Sequence, residues 1–158
     1  VATTAATANN ANYTAKNVRQ SSLGWLSLTA ETEFIHERLG IITQALNGQH
    51  FDFNIWGFVE PFQYVVYRGR GDHYGWHMDK GNTFGSPRKL SIVLQLSDPS
   101  EFEGGDLELW VGGDKPFVAT KQQGLLYMFP SWVLHRVTPV TAGCRRTLVV
   151  WVAGEKFK

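Results

Sequence analysis

Cysteine is nearly absent: Cys144 is the only one in 158 residues. One thiol closes no bridge within the chain, so a disulfide-stapled extracellular scaffold is excluded. A reducing compartment is the simplest setting. Nothing near Cys144 calls for a thiolate, and it reads as chemically inert. Charge of one sign is missing as well. Fifteen Lys and Arg stand against fourteen Asp and Glu, leaving a formal net charge of +1. That balance gives no support for nucleic-acid binding, which rests on a clear basic excess. No apolar run approaches the roughly 20 residues of a membrane-spanning helix. The opening "VATTAATANNANYTAKN" has neither the basic start and apolar centre of a secretory signal nor the arginines of a transit peptide. The expectation is a soluble, cytoplasmic protein with no membrane partner.

Apolar residues make up 43% of the chain, and six are tryptophans. That is enough for the core of one domain, and we read residues 1–158 as one. Residues 1–16 read as a flexible arm with a strand near Tyr13, residues 17–50 as helical support, and residues 51–158 as a β-core. The spacing predicts a helix over "TAETEFIHERLGIITQALNGQHF". Thr29 would cap it, Glu31 and Glu33 suit its first turn, and Gly48 would end it. Phe34, Ile35, Leu39, Ile42 and Leu46 recur at helical spacing and define its expected apolar face. Strand signals then dominate. In "KLSIVLQLS", Leu90, Ile92, Leu94 and Leu96 alternate onto one side. Short apolar segments follow, divided by Gly, Pro and Asp, with Gly104 and Gly105 marking a turn or bulge. The fold class is mainly β with supporting α-helix, as a sandwich or barrel.

One stretch carries chemistry. "HYGWHMDKG" places His77 and Asp79 two apart, and an extended backbone would point both to one face. A third ligand is available in His135, within "SWVLHRVTPV". Two His and one carboxylate form the facial arrangement of non-haem Fe(II) oxygenases, which leaves positions open for substrate and oxygen. Such iron needs electrons, and a chelating 2-oxo acid is one source of them. Its far carboxylate would need a cation in the same cavity. Arg145 lies ten residues after His135, across a turn. It shares a strand face with Thr147, Val149 and Trp151, while Arg146 points away. A guanidinium forks onto a carboxylate with two hydrogen bonds.

From Gln63 to Trp151 the sequence resembles the 2-oxoglutarate- and Fe(II)-dependent dioxygenases of the prolyl-4-hydroxylase-like family. The matching pieces are "YRGRGDHYGWHMD", "LSIVLQLSDPSEFEGGDLELW", "GLLYMFPSWVLHRVTPVTAG" and "CRRTLVVW". The resemblance implies a double-stranded β-helix, or jelly roll, with iron on His77, Asp79 and His135. It implies 2-oxoglutarate on Arg145, assisted by Tyr67 on the strand before the His-x-Asp, with ascorbate as a reductant. The implied reaction hydroxylates a proline in a peptide or protein, using O2 and converting 2-oxoglutarate to succinate. Asp79 argues for hydroxylation over halogenation, because related halogenases lack that carboxylate. Some relatives carry a second tyrosine on the strand after His-x-Asp. "SIVLQLS" has none, and Gln95 or Tyr127 would stand in for it.

Trp76 and Trp132 flank the ligands and read either as core packing or as indoles that grip a substrate ring. Arg70 reads more readily as a solvated loop charge than as a substrate contact. Two alternatives stay open. One is an oxygenase of a small molecule or free amino acid. The other is a non-catalytic jelly-roll module, against which the complete ligand set argues.

Overall fold

A computed structural model describes residues 18–83 and 86–156. The expected arm and its strand near Tyr13 lie outside the described residues.

Two strands precede the long helix among the described residues, β1 (Arg19–Gln20) and β2 (Ser22–Leu26). The region read as helical support therefore also contributes a strand to each sheet. One helix follows, α1 (Glu33–His50). It starts later than Thr29 because Thr29 instead builds the preceding turn. Its carbonyl accepts from the amides of Thr32 and Glu33 at 3.0 and 2.9 Å. The helix also runs through Gly48. Asn47 closes it, donating to the Phe53 carbonyl at 3.0 Å and accepting the Phe53 amide at 3.1 Å. Its buried stripe is Leu39, Thr43 and Asn47, at a strict spacing of four, with Ile35 packed alongside. Phe34 and Ile42, expected on the inner face, are instead exposed at 53% and 41%. The helix packs on one sheet only, so a narrow stripe of side chains seats it.

The remaining strands are β3 (Ile55–Gly57), β4 (Phe62–Arg68), β5 (His73–His77), β6 (Asn82–Thr83), β7 (Ser86–Gln95), β8 (Phe102–Gly104), β9 (Leu107–Trp110), β10 (Phe117–Val118), β11 (Leu126–Pro130), β12 (Leu134–Val137) and β13 (Val140–Gly154). They form two antiparallel sheets. The larger is ordered β11-β7-β13-β4-β2, with β3, β6 and β8 attached at its margins. The smaller is ordered β1-β5-β12-β9-β10. Neighbours far apart in sequence, such as β5 beside β12, make this the interleaved topology of a jelly roll.

The larger sheet is buried on both faces, which explains its nearly continuous apolar strands. On the helix side, Leu90 and Ile92 of β7 pack with Leu148, Val150 and Val152 of β13 and with Leu39. On the inner side, Val65, Tyr67, Val93 and Phe129 pack against Leu107, Leu109 and Val137 of the smaller sheet. Leu94 and Leu96 join the helix-side cluster, as the alternation requires. Arg145, Thr147, Val149 and Trp151 all face a cleft between the sheets.

Candidate active site

Strand β5 delivers His77 at its C-terminal end, and the chain leaves the sheet there to place Asp79. Strand β12 is the next strand in the sheet, and His135 pairs directly with His77 across it. The imidazole centroids are 4.1 Å apart. Asp79 reaches toward both rings. Its Oδ1 lies 3.6 Å from His77 Nε2, and its Oδ2 lies 3.5 Å from His135 Nε2. One ligand atom from each of the three residues falls within 4.8 Å of the others. The expected convergence of His77, Asp79 and His135 on one point is therefore seen.

Both rings are oriented by the backbone. His77 Nδ1–H donates to the Gly75 carbonyl at 2.8 Å, and His135 Nδ1–H donates to the Val133 carbonyl at 2.9 Å. Each donation leaves the Nε2 lone pair free and aimed inward, the form a metal requires. Tyr74 stacks on His77 at 3.5 Å, and the Phe129 ring meets His135 at an angle, 4.9 Å away. The fully buried Ser91 hydroxyl donates to Asp79 Oδ2 at 2.8 Å and contacts the Ser131 hydroxyl at 3.1 Å. Burial pushes the Asp79 carboxyl up. In the metal-free site the facing His77 and His135 rings, when protonated, and the Ser91 hydroxyl overcome that and hold it well below the usual carboxylate range; a cation held at the two Nε2 atoms would take over the part of those protons. The Trp151 indole N–H is buried without a full hydrogen bond of its own, and its polarity adds to the same pull. Burial pushes His135 down, toward the neutral ring. The cluster is thus an ionised carboxylate between imidazoles with free lone pairs, a donor set suited to a divalent transition metal.

Arg145 sits deeper in the same cleft. It pairs in register with Tyr67 on β4, and its guanidinium lies 5.6 Å from the Tyr67 ring centroid. Both side chains are at most 3% exposed. Arg145 Nε and Nη1 are buried with no hydrogen-bond partner. A buried guanidinium with unspent donors is costly unless an anion completes it. These donors fit the distal carboxylate of a 2-oxo acid. Gly105 makes room for the arginine. It has φ +63°, and a Cβ there would come within 3.0 Å of Arg145 Cδ and 2.7 Å of Val140. Gln95 and Tyr127 line a smaller hollow on the other flank of Arg145. Gln95 donates to the Ser97 carbonyl, and the Tyr127 hydroxyl accepts from the Thr120 amide. Arg146 turns outward to Glu101 at 3.0 Å.

The three residues read as substrate contacts fall elsewhere. Trp76 occupies the face of β5 opposite His77, edge-on to Trp110 and beneath Arg136 at 4.7 Å. Trp132 is 41% exposed and packs on Phe53. Arg70 is largely exposed and pairs with the buried Asp72 at 3.0 Å. None of the three lines the cleft. Alternation along β5 explains Trp76, since adjacent residues of a strand point to opposite faces.

Sequence reasoning missed several supporting groups. Ser91 was detectable, because a small hydroxyl in a strand buried on both faces has to satisfy something. Arg88 binds Glu60 through two nitrogens, with Nε at 2.6 Å. It stacks on the Trp151 ring at 3.6 Å, forming a strap behind Asp79. Arg19, Gln63 and Tyr74 also line the cleft. No local signal marks these residues, because they meet only through strand pairing.

Residues 62–153 match the family described as the 2OG-Fe(II) oxygenase superfamily. The chain belongs to that superfamily. Members are defined by Fe(II) and 2-oxoglutarate, and the donor set above suits both. Among curated relatives, this superfamily member is 38% identical over 82 residues to a PKHD-type hydroxylase of Synechococcus sp. strain CC9605. That match covers 52% of the chain and 37% of the relative. It is 40% identical over 84 residues to a PKHD-type hydroxylase of Idiomarina loihiensis, covering 52% of the chain and 38% of the relative. The matched segment is thus well under half the length of either relative. Among solved structures, a Pseudomonas putida prolyl-4-hydroxylase superposes with TM-score 0.73 at 21% identity, over 92% of this chain and 78% of that one. A viral collagen prolyl hydroxylase from Paramecium Bursaria Chlorella virus-1, in a 2OG complex, superposes with TM-score 0.70 at 20% identity, over 87% and 81%. These likenesses establish the double-stranded β-helix fold.

Proposed function

We propose that this chain is an Fe(II)- and 2-oxoglutarate-dependent hydroxylase acting on proline in a peptide or protein. The observation that carries the reading is the juxtaposition of two things in one cleft. A His77–Asp79–His135 cluster spans less than 4.8 Å, and beside it lies a buried arginine with unspent donors. The proline assignment is supported by the hydroxylase relatives. It is supported further by fold neighbours that include a Trichoplax adhaerens prolyl hydroxylase in complex with a peptide fragment.

His77 and His135 would ligate the metal through Nε2, and Asp79 through a carboxylate oxygen. Iron and 2-oxoglutarate, when bound, supply the oxidising chemistry that converts C–H to C–OH while the oxo acid is decarboxylated to succinate. The protein's own part is geometric and electrostatic. Gly75 and Val133 carbonyls hold the imidazole tautomers. Ser91 fixes Asp79 and keeps it ionised. Arg145, with Tyr67 beside it, neutralises and orients the distal carboxylate of the co-substrate. The apolar walls from Val93, Leu107 and Val137 keep bulk water from the reacting centre.

The reading carries a domain and a location. Residues 1–158 would form one oxygenase domain in a reducing, cytoplasmic setting, with the half-buried Cys144 as a free thiol. Among the described residues, no helix is long and apolar enough to cross a membrane.

The test is anaerobic loading with Fe(II), then addition of oxygen and 2-oxoglutarate, following succinate with and without a proline-rich peptide. Succinate that requires iron and His77, and rises with peptide, is the expected result. Succinate indifferent to peptide would redirect the substrate to a small molecule. Bound iron with no turnover for any candidate would overturn the reading in favour of a binding module.

A further inference from the structure

The cleft contains a second cation for which the proposed chemistry has no use. Arg19 reaches into it from β1. Its Nη2 donates to Gln63 Oε1 at 2.9 Å, and its Nε donates to Ser21 Oγ at 2.9 Å. The guanidinium lies 4.5 Å from the centroid of the Tyr74 ring, and that ring stacks on His77. Every one of these partners is neutral. Arg19 takes part in none of the ion pairs among the described residues.

Charge balance sharpens the question. A divalent metal and Arg145 together bring three positive charges. Asp79 and a 2-oxoglutarate dianion together bring three negative ones. They cancel, and Arg19 remains as the uncompensated charge of the loaded cleft, where partial burial makes it costly to leave unpaired. Position separates the two arginines as well. Tyr67 pairs with Arg145, whereas Gln63 pairs with Val149, four residues further along β13. At ~3.3 Å per residue those rows are roughly 13 Å apart. A five-carbon dicarboxylate chelating the metal and held at Arg145 does not also extend to the Gln63 row. Both guanidinium charges are felt at the Tyr67 hydroxyl, each opposing the upward push of burial.

We propose that Arg19 is the substrate-anchoring residue of this oxygenase and that it takes a carboxylate. The inference rests on the hydroxylase reading and narrows its substrate class to prolyl compounds carrying a carboxylate near the oxidised carbon. The Tyr74 stack holds the guanidinium flat, and Gln63 and Ser21 occupy only two of its five N–H donors. The others remain for a forked contact with a carboxylate. That carboxylate can be a free C-terminus, as in L-proline or a terminal peptide residue. It can equally be an acidic side chain beside an internal proline.

The experiment is calorimetric titration of the chain loaded with Mn(II) and 2-oxoglutarate, without oxygen. The probes are L-proline, the tripeptide Ala-Pro-Ala with a free C-terminus, the same tripeptide as its amide, and the amide Ala-Pro-Glu. The expected result is that at least one carboxylate probe binds about tenfold or more tightly than the neutral amide. L-Proline and the free tripeptide report the terminal source, and the Glu amide reports the side-chain source. Arg19→Gln should bring the carboxylate-to-amide ratio close to one, and Arg19→Lys should restore part of it. Should Arg19→Gln not fold, Arg19→Lys against wild type decides, with an intermediate ratio expected. The proposal is overturned if no carboxylate probe binds, if the neutral amide binds as tightly as all of them, or if either variant keeps the full ratio. It is also overturned if Arg19→Gln loses 2-oxoglutarate as Arg145→Gln does, since Arg19 would then serve the co-substrate. If the wild type takes up no 2-oxoglutarate, the hydroxylase reading falls and this inference with it. Uptake without carboxylate preference removes only the role of Arg19.

Discussion

Replacing Arg145 by Met should make the ligand-free protein more stable while removing its response to 2-oxoglutarate. Arg145 is 3% exposed, and two of its nitrogens meet no acceptor. The desolvation of such a cation amounts to several kcal/mol, and exchange for an apolar side chain of similar volume commonly gains about 1–4 kcal/mol. One interaction opposes this. The guanidinium lies 5.6 Å from the Tyr67 ring centroid, and a desolvated cation–π contact is worth up to about 2 kcal/mol. The balance favours Met by about 1–2 kcal/mol. For a chain of this length that raises Tm by about 2–8 °C. Wild type should gain about 2.7 kcal/mol from 2-oxoglutarate at a hundredfold excess over Kd. The variant should gain nothing measurable at that concentration. The assay is thermal unfolding with Mn(II) present, with and without 2-oxoglutarate. A ligand-free Arg145→Met that melts below wild type would refute the argument that the unpaired cation is a standing cost. Retained stabilisation by 2-oxoglutarate would refute the anchor itself.

Three further outcomes follow from the geometry. Ser91→Ala removes the 2.8 Å hydrogen bond to Asp79. It should weaken metal binding by about 10–100-fold, read by competition with a chromophoric chelator. Glu60→Gln leaves Arg88 without its charge partner in a mostly buried position. It should cost about 3 kcal/mol, seen as a lower urea midpoint at unchanged slope. His135 is held below its ordinary value of 6.5 by burial. The unfolded chain therefore takes up this proton first, and the metal-free protein should lose stability as pH falls below 6.5. Asp79, also depressed, adds its own loss only at more acidic pH, below its ordinary 3.8. His135→Gln should flatten the upper limb of the Tm–pH curve, and an unchanged limb would rule out the His135 contribution.

Much of the site was legible in the sequence because strands carry a local code. Alternation alone puts Arg145, Thr147, Val149 and Trp151 on one face and Leu148, Val150 and Val152 on the other, and both sets lie where the period requires. His77 closes β5 and Asp79 lies beyond its end, so alternation along the strand does not account for Asp79. The helix was less legible. Five apolar residues suggested a broad inner face, yet the sheet takes one row, and Phe34 and Ile42 face outward. Thr43 and Asn47 are buried in their place. Asn47 has a reason no periodicity carries, because its amide holds both backbone groups of Phe53.

The sequence by itself determined which chemical groups could meet a metal and a dicarboxylate, and the local direction of each along its own strand. The tertiary structure alone decided which strands are neighbours. Pairing of β5 with β12 sets His135 opposite His77, 58 residues earlier in the chain. Pairing of β1 with β5 brings Arg19 against Tyr74 and into the cleft. The packing of Trp132 on Phe53 was settled in the same way. Side-chain direction follows from backbone sterics within two residues. Strand order follows from burying two apolar faces at once, a condition that no single segment carries.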